Sequence, residues 1–308
     1  MKILITGALG HIGSSLIREL PYVLKNIDSI TLLDNLSSQR YPSLFNLPNH
    51  KYTFIQDDIR NTDIDKILVD IDYVIHLAAI TDAAGSFSNA EEVERNNYEC
   101  TKVIANACLK HNVKLITLSS TSVYGTQDEV VSEDCSLDDL NPQSPYAKTK
   151  LLEEELVIEM CNSGLNAVIC RFGTIFGDSI GMRFHTAVNK FCWQAIHRIP
   201  LTVWSSAYEQ KRPYLDLKDA TNSFKHLIEK DLFNGEIYNV LTGNFTVKNV
   251  IDEIKKNIPD LKIEYVDNKI MNQLSYDVSN NKFINTGFQF KGSLQKSIKE
   301  TIELFTYR

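Results

Sequence analysis

Short, nearly continuous apolar runs alternate with longer amphipathic stretches through the first 175 residues. The runs KILITG (2–7), SITLLDN (29–35), KYTFIQDD (51–58), YVIHLAA (73–79), KLITLSS (114–120) and NAVICRFG (166–173) are predicted strands. Between them, helical periodicity marks 12–25, where Pro21 is expected to interrupt, then about 90–111 and 144–163. Strands that are apolar at successive positions, not at alternate ones, are buried on both faces. With helices between them they form a parallel sheet covered on both sides. Right-handed crossovers make that an α/β, doubly wound parallel Rossmann sheet.

The pattern loosens after residue 175. A helix is expected over 181–198, short strands at PLTVW and RPYLDL, and a strand at EIYNVL (236–241). Then follow a capped amphipathic helix at 246–257, a strand at 261–267 and a terminal helix at 293–305. This predicts a smaller α/β substrate-binding lobe interleaved with the sheet. The expected division is 1–174 with 213–242 for the cofactor domain, and 175–212 with 243–308 for the lobe.

At the first strand–helix junction stands ITGALGHIG, with Gly7, Gly10 and Gly13. Glycine permits the tight turn, and the helix start behind it offers free N–H groups and a positive dipole end to a pyrophosphate. Asp34 closes the second strand about 20 residues on, where a carboxylate accepts from both hydroxyls of an adenosine ribose. It would repel a 2′-phosphate, so NAD is expected over NADP. In SPYAKTK (144–150), the proline suits a first helical turn, and Tyr146 and Lys150 fall at i and i+4 on one face.

Composition narrows the classes. The chain has 308 residues, 43% hydrophobic and 23% charged, the profile of an ordinary globular protein. A net charge of −7 argues against a nucleic-acid surface. No run reaches the ~20 apolar residues of a membrane span, and no leader-like segment precedes the first strand. A cytoplasmic protein is expected. The six cysteines lack metal-ligand spacing and read as buried small hydrophobes, so no metal is expected. His76 reads as structural.

TGALGHIG, DDI (57–59), HLAA (76–79), NYECT (97–101), the hydroxyl cluster LITLSSTSVYG (115–125) and the Tyr146/Lys150 pair occur in this order. Together they resemble the extended short-chain dehydrogenase/reductase superfamily, and within it the NAD-dependent nucleotide-sugar epimerase/dehydratase branch. The resemblance implies Ser120, Tyr146 and Lys150 as catalytic residues. It implies a cofactor-binding set of Gly7, Gly10, His11, Ile12, Gly13, Asp34, Asn35, Asp58, Ile59, Leu77, Ala78, Ala79, Asn97 and Phe172, with Tyr146 and Lys150. Substrate contacts are implied at Thr121, Thr174, Asn189 and Arg212, a guanidinium suiting a diphosphate. The implied partner is a nucleotide-diphosphate sugar, and the implied assembly is a homodimer packed through the helices near 90–111 and 146–162.

Oxidising an alcohol removes a hydroxyl proton while hydride leaves carbon. Free tyrosine ionises near pH ~10, too high for a base at neutrality. A neighbouring ammonium and a positive nicotinamide both favour the phenolate. A serine hydroxyl stabilises charge developing on the substrate oxygen.

Dehydratases of the branch carry an acidic pair directly after the catalytic Ser/Thr. Here those positions are Thr121 and Ser122, and neither is an acid. The cysteine of the 3,5-epimerases is absent too. What remains is 4-epimerisation through a transient 4-keto sugar, or plain oxidation or reduction at C4. A non-catalytic NAD sensor is a further alternative. Thr174 replaces the asparagine usual in galactose epimerases, and QLSYDVSNNK (273–282) lacks a second diphosphate arginine. A GDP- or CDP-linked sugar of surface-polysaccharide synthesis is therefore also open.

Overall fold

The structure is a computed structural model and describes residues 1–127, 129–267 and 275–306. The chain runs β1 (Lys2–Thr6), α1 (His11–Val23), β2 (Ser29–Asp34), β3 (Tyr52–Gln56), α2 (Ile64–Leu68), β4 (Tyr73–His76), α3 (Ala90–His111), β5 (Lys114–Ser120), α4 (Pro145–Asn162) and β6 (Ala167–Phe172). It continues through β7 (Thr174–Phe176), α5 (Ala187–Ile196), β8 (Leu201–Trp204), β9 (Lys211–Asp216), α6 (Leu217–Glu229) and β10 (Ile237–Val240). Last come β11 (Gly243–Thr246), α7 (Val247–Asn257), β12 (Ile263–Val266), α8 (Asn281–Asn285) and α9 (Leu294–Phe305).

Seven strands form one sheet in the order β10-β6-β5-β4-β1-β2-β3, every pairing parallel. Consecutive strand residues feed opposite faces. Ile3, Ile5, Ile30, Leu32 and Ile75 meet α1 and α6 on one side, while Leu4, Val74, Leu115 and Ile169 meet α3 and α4 on the other. Each such side chain gains about 1.5–3 kcal/mol on burial, so the doubly apolar strands read in the sequence have two helical layers to bury against. The strand order reverses between β1 and β4, and ligands of such sheets bind at the carboxyl ends beside that switch.

A second, smaller core holds Phe176, Val188, Cys192, Leu201, Val203, Val250, Ile254 and Ile298. A three-stranded sheet, β11-β9-β7, and the parallel pair β12-β8 belong to this side. Phe283 and Phe288 pack into the large core with α6 and β10, although the sequence reading assigned 243–308 to the lobe.

Two helices differ from expectation. Pro21 does not interrupt α1, which runs on to Val23. Proline lacks the N–H that would bond Ile17 four residues earlier; the Tyr52 hydroxyl donates to that carbonyl instead, at 2.8 Å. The helix expected over 181–198 begins only at Ala187. Gly181 lies so close to the glycine turn that a Cβ there would be 2.4 Å from the Leu9 carbonyl oxygen. Its N–H donates to Ser14 Oγ at 2.8 Å. Tertiary packing thus holds 181–186 along the cleft in place of a helical turn.

Candidate active site

The start of α1, the loops after β4 and β5, the start of α4 and the lobe enclose a cleft of about 380 Å³, within the range of small-molecule sites. On the sheet side, the turn after β1 is tight. Gly7 has φ +62°, its N–H donates to the Leu33 carbonyl at 2.8 Å, and a Cβ on it would lie 2.7 Å from the Ala78 backbone. Gly10 caps α1, and the first helical hydrogen bond is Ser14 N–H to Gly10 O. The N–H groups of His11, Ile12 and Gly13 therefore have no partner within the helix, and Ile12 faces the cleft. His11 points backward, Nε2 on the Gly177 carbonyl at 3.0 Å, and burial pushes its pKa down to about 3.

At the end of β2, Asp34 is held by backbone N–H groups from Leu9 (3.0 Å) and Leu36 (2.9 Å). Asp58 is held by both Arg60 side-chain bonds (2.8 and 2.7 Å) and by Asn35 Nδ2 at 3.3 Å; the Arg60 guanidinium keeps it well below the usual carboxylate range. Ile59 lies in the core under α3, not on the cleft. Leu77, Ala78 and Ala79 form part of the cleft wall, and Phe172 lines the cleft as well. Asn97, fully buried in α3, brackets that wall. Its Oδ1 accepts from Ile80 N–H at 2.8 Å and its Nδ2 donates to Ile80 O at 3.0 Å.

The catalytic candidates share this cleft. Ser120 ends β5 and caps the turn over Thr121–Tyr124; Ser122 donates to its Oγ through both N–H (3.2 Å) and hydroxyl (2.9 Å). Thr121 Oγ1 contacts the Phe172 carbonyl and the Tyr276 hydroxyl, each at 3.4 Å. The Ser144 hydroxyl caps α4 and Pro145 takes its first position, so Tyr146 enters the cleft from the first turn. Lys150 Nζ lies 6.0 Å from the Tyr146 ring centroid and 3.0 Å from Glu153 Oε2. Burial is the largest single influence on Lys150 and works against its charge, yet Glu153, Tyr146 and Glu154 together outweigh it and hold its pKa above the ordinary lysine value.

Of the expected substrate contacts, Thr121, Thr174 and Arg212 line the cleft. Asn189 sits behind it, fully buried, its amide bonding the Gly177 N–H and carbonyl at 3.2 Å each. Sequence reasoning missed Arg183, which donates to Thr81 Oγ1 at 2.6 Å, as well as His185, Lys190, Trp204 and Tyr276. Tyr276 stands in the stretch read as lacking an arginine; residues 273 and 274 of that stretch lie outside the described residues. Only the sequence nearness of Arg183 to the cleft-bordering segment 171–177 could have flagged it.

A dinucleotide cradle at a switch point, with a tyrosine, a lysine and a hydroxyl cluster beside it, defines an extended short-chain dehydrogenase/reductase. Residues 3–240 match the model of the NAD dependent epimerase/dehydratase family, and the chain belongs to that family, with NAD as cofactor. It is 32% identical, over 78% of its length and 76% of the relative's, to an uncharacterized UDP-glucose epimerase of Bacillus subtilis. It is 30% identical over 99% of its length to a trifunctional enzyme of Arabidopsis thaliana, a UDP-glucose 4,6-dehydratase, 3,5-epimerase and reductase, of which it spans about half (47%). Among solved structures, a UDP-glucuronic acid 4-epimerase of Bacillus cereus superposes with a TM-score of 0.89 at 26% identity, over 99% of this chain and 100% of that one.

The residues present fit NAD. No side chain at Gly7, Gly10 or Gly13 covers the free N–H groups of α1, and the Asp34 carboxylate ends β2 beside them.

Proposed function

We propose that this protein is a nucleotide-sugar 4-epimerase acting through a transient 4-keto sugar, in the cytoplasmic synthesis of surface-polysaccharide sugars. The observation that carries the reading is the make-up of the cleft wall: Ser120, Tyr146 and Lys150 are there, while Thr121 and Ser122 occupy the positions after the serine. That set moves an alcohol proton but offers no acid–base pair to expel water from the neighbouring carbons. Bound NAD supplies the hydride acceptor at C4. Tyr146 takes the C4 hydroxyl proton and returns it, and the Lys150 ammonium favours its phenolate. Ser120 donates to the C4 oxygen as charge develops on it. Arg212 and Arg183, which both line the cleft, suit a diphosphate.

UDP sugars are the first substrates to test, since the Bacillus relatives are named for them. The purified protein is incubated with UDP-glucose, UDP-glucuronic acid and their GDP- and CDP-linked counterparts, and the C4 configuration is followed by NMR. Inversion without net NADH supports the reading. NADH accumulating with a stable 4-keto product assigns C4 dehydrogenation instead, and a 5,6-unsaturated or 6-deoxy product overturns it.

Two further parts of the proposal are a homodimer and a cytoplasmic setting. Leu152 and Ile158 on α4 present apolar surface beside α3, as a helix–helix interface needs. A monomer by sedimentation would remove the dimer. None of the six cysteines is in a disulfide, as a reducing compartment requires. Among the described residues no helix is long and apolar enough to cross a membrane.

A further inference from the structure

We propose that Glu153 is a positioning residue of the active site: it is the counter-ion that fixes the Lys150 ammonium and sets the pH at which Tyr146 serves as base. The inference rests on the role given to Tyr146 above. Glu153 lies one turn beyond Lys150 on α4, and both side chains are almost wholly buried (5% and 6% exposed). Their Nζ···Oε2 contact is 3.0 Å. The other oxygen of Glu153, Oε1, is buried with no partner among the described residues. An ionised carboxylate is tolerated in such a place only when paired and hydrogen-bonded. Lys150 is the charge that pairs it.

The remaining partner of Oε2 ties the pair to the cofactor wall. Thr101 Oγ1 donates to Glu153 Oε2 at 2.7 Å. Having given its proton there, Thr101 must accept from His76 Nε2, 3.2 Å away. His76 is thus the neutral Nε2–H tautomer, as its burial requires; desolvation pushes its pKa down to about 3. Its Nδ1 then accepts from Thr6 Oγ1 at 2.7 Å, and Thr6 accepts from the N–H groups of Leu77 and Ala78 at 3.2 and 3.3 Å. Every bond in this chain points the same way, from the cleft-lining backbone of 77–78 to the carboxylate beside Lys150. Bonds aligned in this way polarise one another.

The other charged and titratable groups around the pair are accounted for. On α4, Glu154 also adds to the field that raises Lys150, but both its oxygens are bonded to Arg171, at 2.9 and 2.6 Å. From α3, the Cys100 thiol is pushed up to about 12 by burial and stays neutral, while Asp58 beyond it is held by Arg60. On the cleft, the Arg183 and Tyr146 side chains interact, with Asp82 and His185 near Arg183. Glu153 is therefore the carboxylate that directly offsets Lys150. It draws the ammonium away from the phenol and weakens its field there.

The test uses the NAD-loaded protein and needs no sugar, so it stands even if the assigned substrate fails. Tyrosinate absorbance is titrated for the wild type and for Glu153→Gln, with Tyr146→Phe subtracted as background. Loss of the carboxylate charge is expected to move the Tyr146 titration down by about one pH unit, a tenfold change in proton affinity. Glu153→Asp, which keeps the charge, is expected to stay near the wild-type position. Should Glu153→Gln not fold, Glu153→Ala sheds the same charge and is read in the same way. A titration that stays put or moves upward in the charge-free variant overturns the proposal, whatever happens to its melting temperature.

Discussion

Tyr146 and Lys150 gain their meaning from one helical turn: capped by Ser144, started by Pro145, with both side chains on the face turned to the cleft. Tyr146→Phe is expected to lower turnover by ~10²–10⁴-fold while NAD stays bound; a cofactor retained at stoichiometry beside wild-type turnover would remove tyrosine as the base. Ser120→Ala should cost ~10²–10³-fold in kcat with little change in KM, because its bond strengthens as charge develops. Their place on the cleft was legible because their spacing is local. A capped helix start and a strand end fix a side chain from a handful of neighbours in sequence. Arg183 and Tyr276 were not legible, since they reach the cleft only through the packing of 181–186 on the glycine turn and of 275–278 beside β9. Asn189 shows the reverse case. An amide of the right type, in the expected stretch, is taken up by the backbone of Gly177.

Elements were read well where one periodicity ruled. The six strands of the first half fall within the predicted runs, and α7 carries its reciprocal Thr246/Asn249 cap. The misses came where another part of the chain overrode local preference. Pro21 was expected to interrupt the helix, but the hydroxyl of Tyr52, thirty-one residues on, replaces the missing donor. Tyr52→Phe should therefore cost about 1–3 kcal/mol by leaving the Ile17 carbonyl unpaired, measured as a lower urea midpoint at unchanged slope. A second such tie joins α4 to β6. Arg171 grips Glu154 through two bonds and also donates to the Tyr124 hydroxyl at 2.8 Å, and all three side chains are buried. Glu154→Gln alone leaves a buried guanidinium uncompensated and is expected to cost about 3–5 kcal/mol. Because this pair seats the helix that presents Tyr146 and Lys150, its loss should lower activity below the temperature at which the protein melts.

For the molecule as a whole, acid stability is the test of its interior. His11 and His76 are both buried, and each is pushed down to about 3, chiefly by burial. Unfolding lets each bind a proton near pH 6.5 that the native state refuses until about 3. Their contribution is full above 6.5 and drains away as pH falls through that window. Stability is expected to drop by up to about 1.4 kcal/mol per pH unit for each histidine. Urea midpoints at pH 7, 6 and 5 measure this above most carboxylate titration, and a His11→Gln, His76→Gln double variant should flatten the slope.

The interleaving of the two cores also dictates an order of birth. Strand β10, an edge of the large sheet, leaves the ribosome only after β7, β8 and β9, which belong elsewhere. Phe283 and Phe288, which close the large core, come later still. A nascent chain cannot finish its first half until nearly all of its second half exists. Until then it must carry an open sheet edge and an unfilled core through most of synthesis. Chains stalled before residue 283 should therefore be clients of holding chaperones, and emergence of Phe288 should coincide with the onset of NAD binding.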